Sequence, residues 1–188
     1  RKESSAASDV YKRQENWVFA HNGNLKNLPD MSNYFLQPIG STDSEAAFCY
    51  LAEYLKNTYR QKPSEMEIFE AIQKVTKELA QHGTFNFILS NGEWMIAHCS
   101  TNLHYLMRKA PFGKAHRIDD DGVIDFSDYA KEGDKVNIIT TFPLTKDETW
   151  TKMENGGFVF FKNGDKIAEV IGTPKAAIDD GTLGNRTI

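Results

Sequence analysis

Trp17-Val18-Phe19-Ala20-His21-Asn22-Gly23-Asn24-Leu25 carries an apolar, strand-forming run straight into an Asn-Gly pair. Aromatic and β-branched residues favour extended backbone, and Asn-Gly tolerates the positive φ of a sharp turn. The sequence therefore predicts a strand that ends in a corner at Asn22-Gly23. Such a corner leaves the Asn22 carboxamide N–H and the Gly23 backbone N–H free to aim at one point. Two neutral donors aimed at one point are the hardware of an oxyanion hole, which stabilises the tetrahedral intermediate of acyl transfer. The same dipeptide is also a common hairpin turn with no chemistry attached. The residues alone leave both readings open.

Around this stretch, 188 residues with 40% hydrophobic and 12% aromatic content suffice for one domain with a sizeable core. The formal charge of −4 comes from 26 acidic and 22 basic residues spread along the chain, which argues against a nucleic-acid partner. No apolar run reaches bilayer-spanning length and the start lacks the apolar core of a signal peptide, so we expect no membrane partner and a cytoplasmic location. Two cysteines, Cys49 and Cys99, make no disulfide scaffold and no zinc spacing. Asp119-Asp120-Asp121 reads as a solvated acidic turn, since a calcium loop needs more oxygen ligands followed by a bidentate Glu. Neither a metal nor a cofactor is expected.

Residues 1–14 are polar, mixed in charge and without period, and read as a disordered or foreign leader; the domain is expected over 15–172 and a polar tail over 173–188. Lys26 to Gly40 is dense in breakers and reads as a long surface loop. Thr42 then caps a helix with Glu45 as its capping-box partner and Asp43 in the positive first turn. Ala47, Tyr50, Leu51, Tyr54, Leu55 and Thr58 set its buried stripe as far as about Arg60. Ser64 and Glu67 repeat the signal for a second helix, with His82-Gly83 as its left-handed close. Two successive amphipathic helices joined by a short connection predict one helical layer over a sheet. From Thr84 the period becomes that of strands. One hairpin turns on the two residues Asn91-Gly92 and another on Asn163-Gly164, with further strands at Leu103 to Arg108 and Val136 to Phe142. Cys49 reads as a small core residue and His21 as a structural hydrogen-bonder. His98 and Cys99, as neighbours on a strand, face opposite ways and form no dyad; His104 reaches Cys99 only if residues 100–102 turn back sharply.

In this order the chain resembles the class II glutamine amidotransferases, and more closely their stand-alone bacterial members of the YafJ type. The matching pieces are Ala20-His21-Asn22-Gly23, Gly40 to Cys49, Cys99 to His104, Arg108 to Gly113, Pro143-Leu144-Thr145 and Glu148-Thr149-Trp150. Each piece is weak by itself, and the ordered set from about Trp17 to Lys166 is specific. The resemblance implies an α+β, N-terminal-nucleophile-hydrolase-like αββα sandwich of mainly antiparallel sheets, incomplete here at its N-terminal side. It implies hydrolysis of the glutamine side-chain amide through a Cys thioester. Asn22 and Gly23 would take the oxyanion role, and Asp43 would bind the substrate's α-ammonium.

In that family the nucleophile is a Cys at the start of the mature chain, well upstream of the Asn-Gly pair and accompanied by an Arg for the substrate carboxylate. Arg1 cannot serve as that nucleophile, so the chain looks like a fragment, and this stretch alone is expected to be inactive on glutamine. The expected partner is a small glutamine-like amide; the sequence is silent on oligomeric state and on any ammonia acceptor. The alternative is a non-catalytic α+β domain for binding or assembly.

Overall fold

The computed structural model describes residues 17–127 and 130–172, and the expected leader and tail lie outside them. The chain order is β1 (Val18–Leu25), α1 (Asp43–Thr58), α2 (Glu65–Leu79), a 3-10 turn (Ala80–His82), β2 (Gly83–Ser90) and β3 (Trp94–Cys99). There follow β4 (His104–Lys109), β5 (Lys114–His116), β6 (Val123–Asp125), β7 (Lys135–Thr140), β8 (Thr151–Lys152), β9 (Gly157–Lys162) and β10 (Asp165–Val170). The strands form a five-stranded sheet ordered β1-β2-β3-β9-β10, a three-stranded sheet ordered β7-β4-β8 and a β5-β6 ribbon. All pairings within these sheets are antiparallel. This is a mixed α+β fold with antiparallel sheets, as the sequence predicts.

Alternation along the central strands builds two cores. Phe85, Phe87, Ile96 and Phe160 face the helices, where Ile72 and Val75 meet them. Ala97, Cys99, Val159 and Phe161 face the other way, onto Leu103 and Tyr105 of the smaller sheet's side. The layers are thus helices, large sheet, small sheet. At β1 the second layer thins out: Phe19 packs on Phe48 and Phe87, whereas Val18, Ala20, Asn22 and Asn24 are exposed. None of the described helices is long and apolar enough to cross a membrane.

Both helix starts follow their local code. Thr42 Oγ1 accepts from the Glu45 N–H at 3.3 Å, and Ser64 and Glu67 close a full capping box. Glu45 does not return to Thr42; its carboxylate takes the N–H groups of Ile39 and Gly40 at 2.9 and 2.8 Å and ties the preceding loop to α1.

Three turn expectations change. No corner exists at Asn22-Gly23, because β1 continues to Leu25 with Asn22 opposite Asn86 and Gly23 opposite Phe85. Glycine is required at 23 for space, since a Cβ there would meet the Thr84 carbonyl oxygen and the His21 ring. Asn91-Gly92 is not a two-residue turn: the connection includes Glu93, with Gly92 at φ 92° and Asn91 Oδ1 accepting from the Glu93 and Trp94 N–H groups. Gly83 is not a left-handed helix close; α2 passes into the 3-10 turn, and Gly83, at φ 147°, begins β2 against the Asn24 backbone. The hairpin at Asn163-Gly164 has the predicted turn, with φ 51° and 79° at its two residues.

Candidate active site

β1 is an edge strand among the described residues, and its hydrogen-bond parity decides what that edge offers. Leu25 donates its N–H away from β2, to Asp43 Oδ2 at 2.8 Å, and Phe85 donates away from β1, to Ser100 Oγ at 2.8 Å. Gly23 lies opposite Phe85 and has the parity of Leu25. Its N–H therefore points out of the sheet edge rather than into the ladder. The same peptide unit carries the Asn22 carbonyl, which points inward and accepts from Asn86 Nδ2 at 3.0 Å.

Asn86 is buried and fully engaged. Its Nδ2 also donates to Thr101 Oγ1 at 2.8 Å, and its Oδ1 accepts from the Ser100 and Thr101 N–H groups at 2.9 and 3.1 Å. The Asn22 side chain stands on the exposed face, where Nδ2 donates to Thr141 Oγ1 at 3.3 Å. A carboxamide has two N–H donors, so a second remains for another acceptor.

Asp43 stands at the start of α1, two residues beyond Gly23 along the edge. Its Oδ1 accepts from the Ser44 N–H at 2.8 Å, and its side chain is 30% exposed. The hydrogen bond from Leu25 holds this carboxyl below the usual carboxylate range, with the nearby His21 ring and the Ser44 donors acting in the same direction against burial. An ionised carboxylate has about four acceptor positions, so the two backbone bonds leave capacity for a cation.

His21 takes the structural place expected of it. Its Nε2 lies 3.1 Å from the Thr84 carbonyl and its Nδ1 3.0 Å from Ser44 Oγ, so it clamps β1 to both β2 and α1. The carbonyl can only accept, so Nε2 donates to it. His98 and Cys99 point into different cores: His98 Nδ1 meets the Gly157 carbonyl at 3.0 Å, and Cys99 Sγ meets the Met153 carbonyl at 3.6 Å. His104 turns to the Thr141 carbonyl at 3.0 Å instead of to Cys99. Burial raises the pKa of both thiols, which suits core residues and not nucleophiles.

The remaining resemblance pieces form one brace. Arg108 grips Glu148 bidentately at 2.5 and 2.6 Å, Thr145 donates to Glu148 Oε2 at 2.6 Å, and Trp150 Nε1 donates to Thr145 at 2.9 Å. The Arg108 guanidinium is the main cause of a lowered Glu148 pKa. This fastens the segment after Thr141 to β4. Among the described residues no group of three or more His, Cys, Asp or Glu side chains is arranged to hold a metal ion.

Sequence reading thus selected Asn22, Gly23 and Asp43, and all three stand along one end of β1. It missed Asn86, Asn102 and Thr141. Asn86 left a signal, as a polar residue inside Phe85-Asn86-Phe87-Ile88-Leu89, an otherwise apolar strand. Thr141 left none, because its contact with Asn22 spans 119 positions.

The described residues thus form an α+β domain of one helical layer and antiparallel sheets, with amide N–H groups and a carboxylate along an edge strand. The chain belongs to the class-II glutamine amidotransferases, whose family model matches residues 9–180. It is 91% identical over 174 residues to a Haemophilus influenzae protein named "Putative glutamine amidotransferase", covering 93% of this chain and 59% of that protein. It is 42% identical over 153 residues to the Escherichia coli protein named "Putative glutamine amidotransferase YafJ", covering 81% of this chain and 60% of that one. A crystal structure described as a predicted glutamine amidotransferase from Pseudomonas aeruginosa superposes with a TM-score of 0.73 at 35% identity, covering 82% of this chain and 60% of that one. The chain therefore spans about three-fifths of the length of these relatives.

Proposed function

We propose that this chain is the part of a glutamine-amide-hydrolysing domain that carries the oxyanion donors Asn22 and Gly23 and the substrate-ammonium carboxylate Asp43. The supporting observation is the outward Gly23 N–H on the β1 edge, with Asp43 hydrogen-bonded to that edge two residues away. In this reading a Cys thiolate supplied by a segment outside these residues adds to the side-chain carbonyl carbon of glutamine. The carbonyl π pair moves onto oxygen, where Gly23 N–H and the second N–H of Asn22 receive the developing charge. The proton removed from the thiol when the thiolate formed passes to the leaving nitrogen, so collapse expels ammonia and leaves a thioester, which water hydrolyses to glutamate with return of the thiol. Asp43 fixes the far end of the substrate by a charge-assisted hydrogen bond to its α-ammonium.

The test uses a polypeptide that includes the nucleophile segment. Asn22→Ala should lower kcat about 10²–10³-fold with KM for glutamine nearly unchanged, because the bond is made mainly in the transition state. Asp43→Asn keeps shape and loses charge, and should raise KM by roughly 10- to 100-fold, the equivalent of about 1.5–3 kcal/mol. Two variants that melt at lower temperature with per-molecule activity intact would mean that Asn22 is merely a strand residue and Asp43 a strand-to-helix tie.

A further inference from the structure

A closed ring of hydrogen bonds surrounds Asn22, and the proposed chemistry accounts for one of its members. From the Asn22 carboxamide the ring passes to Thr141 Oγ1 at 3.3 Å, and from the Thr141 carbonyl to Asn102 Nδ2 at 2.7 Å. It returns through the neighbouring Thr101, whose N–H and hydroxyl bind Asn86, and from Asn86 Nδ2 to the Asn22 carbonyl at 3.0 Å. His104 Nδ1, 3.0 Å from the Thr141 carbonyl, braces it a second time. Asn86 fixes the backbone of Asn22, and Thr141 is the ring member that touches its side chain.

A carboxamide on an exposed strand face otherwise rotates freely about χ2, and a donor that must be oriented during the reaction forfeits part of its value. We propose that Thr141 is a positioning residue: its hydroxyl takes one N–H of Asn22 and so aims the other at the position of the substrate oxyanion. The inference rests on the oxyanion role given to Asn22 above. Thr141 lies one residue past β7, in the smaller sheet's layer, while Asn22 belongs to the large sheet. Thr141 thus sets the angle of a donor on one sheet from the frame of the other.

Two measurements test this. In the polypeptide with its nucleophile, Thr141→Val removes the acceptor at constant shape and should lower kcat roughly 10-fold with KM unchanged, while Thr141→Ser restores it. In an Asn22→Ala background, Thr141→Val should have no further effect, since the group it aims is gone. Full additivity of the two substitutions, or a Thr141→Val kcat equal to the parent's, overturns the positioning role while leaving the Asn22 assignment intact. An Asn22→Ala enzyme with undiminished kcat instead removes the oxyanion reading itself. In the isotope-labelled 188-residue chain, Thr141→Val should also move the Asn22 carboxamide proton resonances and Thr141→Ser should leave them near the parent's positions. Unmoved resonances in Thr141→Val would equally reject the proposal.

Discussion

His98 is buried in the helix-side core, its ring stacked on Phe158 with centroids 4.2 Å apart. Its Nδ1 is satisfied by the Gly157 carbonyl, while Nε2 has no hydrogen-bond partner among the described residues. Burial therefore lowers its pKa to about 4 against the pull of that carbonyl. The unfolded chain, with an ordinary imidazole near 6.5, takes up the proton first as the pH falls. The contribution of neutral His98 is thus fully present above about pH 6.5 and is lost progressively down to about pH 4, roughly 3 kcal/mol in all. Urea unfolding of the parent and of His98→Phe at pH 7, 5.5 and 4 reads this directly. The parent should lose about 3 kcal/mol more than the variant between pH 7 and 4, and parallel pH curves would show that His98 does not titrate in this window. Asp43 acts at lower pH: its carboxyl is held low by the Leu25 N–H, so that support is lost only as the pH falls through the carboxylate range.

The elements that were legible in the sequence are those whose determinants lie within a few residues. The α2 start needs only Ser64 and Glu67, and its capping box forms as read. Ser64→Ala should cost about 1 kcal/mol in urea unfolding, and a change within error of zero would show that the box adds nothing beyond the packing of Ile68 and Phe69. Asn163-Gly164 was legible for the same reason, since two consecutive positive φ values are a local demand that this dipeptide meets. Asn22-Gly23 is chemically the same dipeptide, yet it lies inside a strand. What decides its conformation is the ladder with Phe85 and Asn86, more than 60 positions away, together with the Thr84 carbonyl that leaves no room for a Cβ. The candidate donors could be picked out in the sequence and their geometry could not: the Gly23 N–H is exposed by strand parity at an edge and not by a turn. Strands β5, β6 and β8, of two or three residues each, are too short to show any period.

At the scale of the molecule, the sheet grades from a doubly covered centre to a half-covered margin. β3 and β9 are packed on both faces, and β1 is packed on the helix face alone. The candidate donors sit at that margin, where a substrate can reach backbone groups that the ladder does not consume. This arrangement makes a residue-by-residue expectation for amide hydrogen exchange. The N–H groups of Ala20, Asn22 and Asn24 face β2 and should be protected, whereas those of His21 and Gly23 face outward and should exchange far faster. Leu25 shares the outward parity but donates to Asp43, so it should be protected in the parent and join the fast group in Asp43→Ala. The slowest amides should lie in β3 and β9, where opening requires both cores to separate. Alternating exchange along β1, with Leu25 switching alone on loss of Asp43, is the pattern expected of an open edge. Uniform protection from Ala20 to Leu25 would mean that another strand pairs with this edge, and the Gly23 N–H would then be unavailable to any substrate.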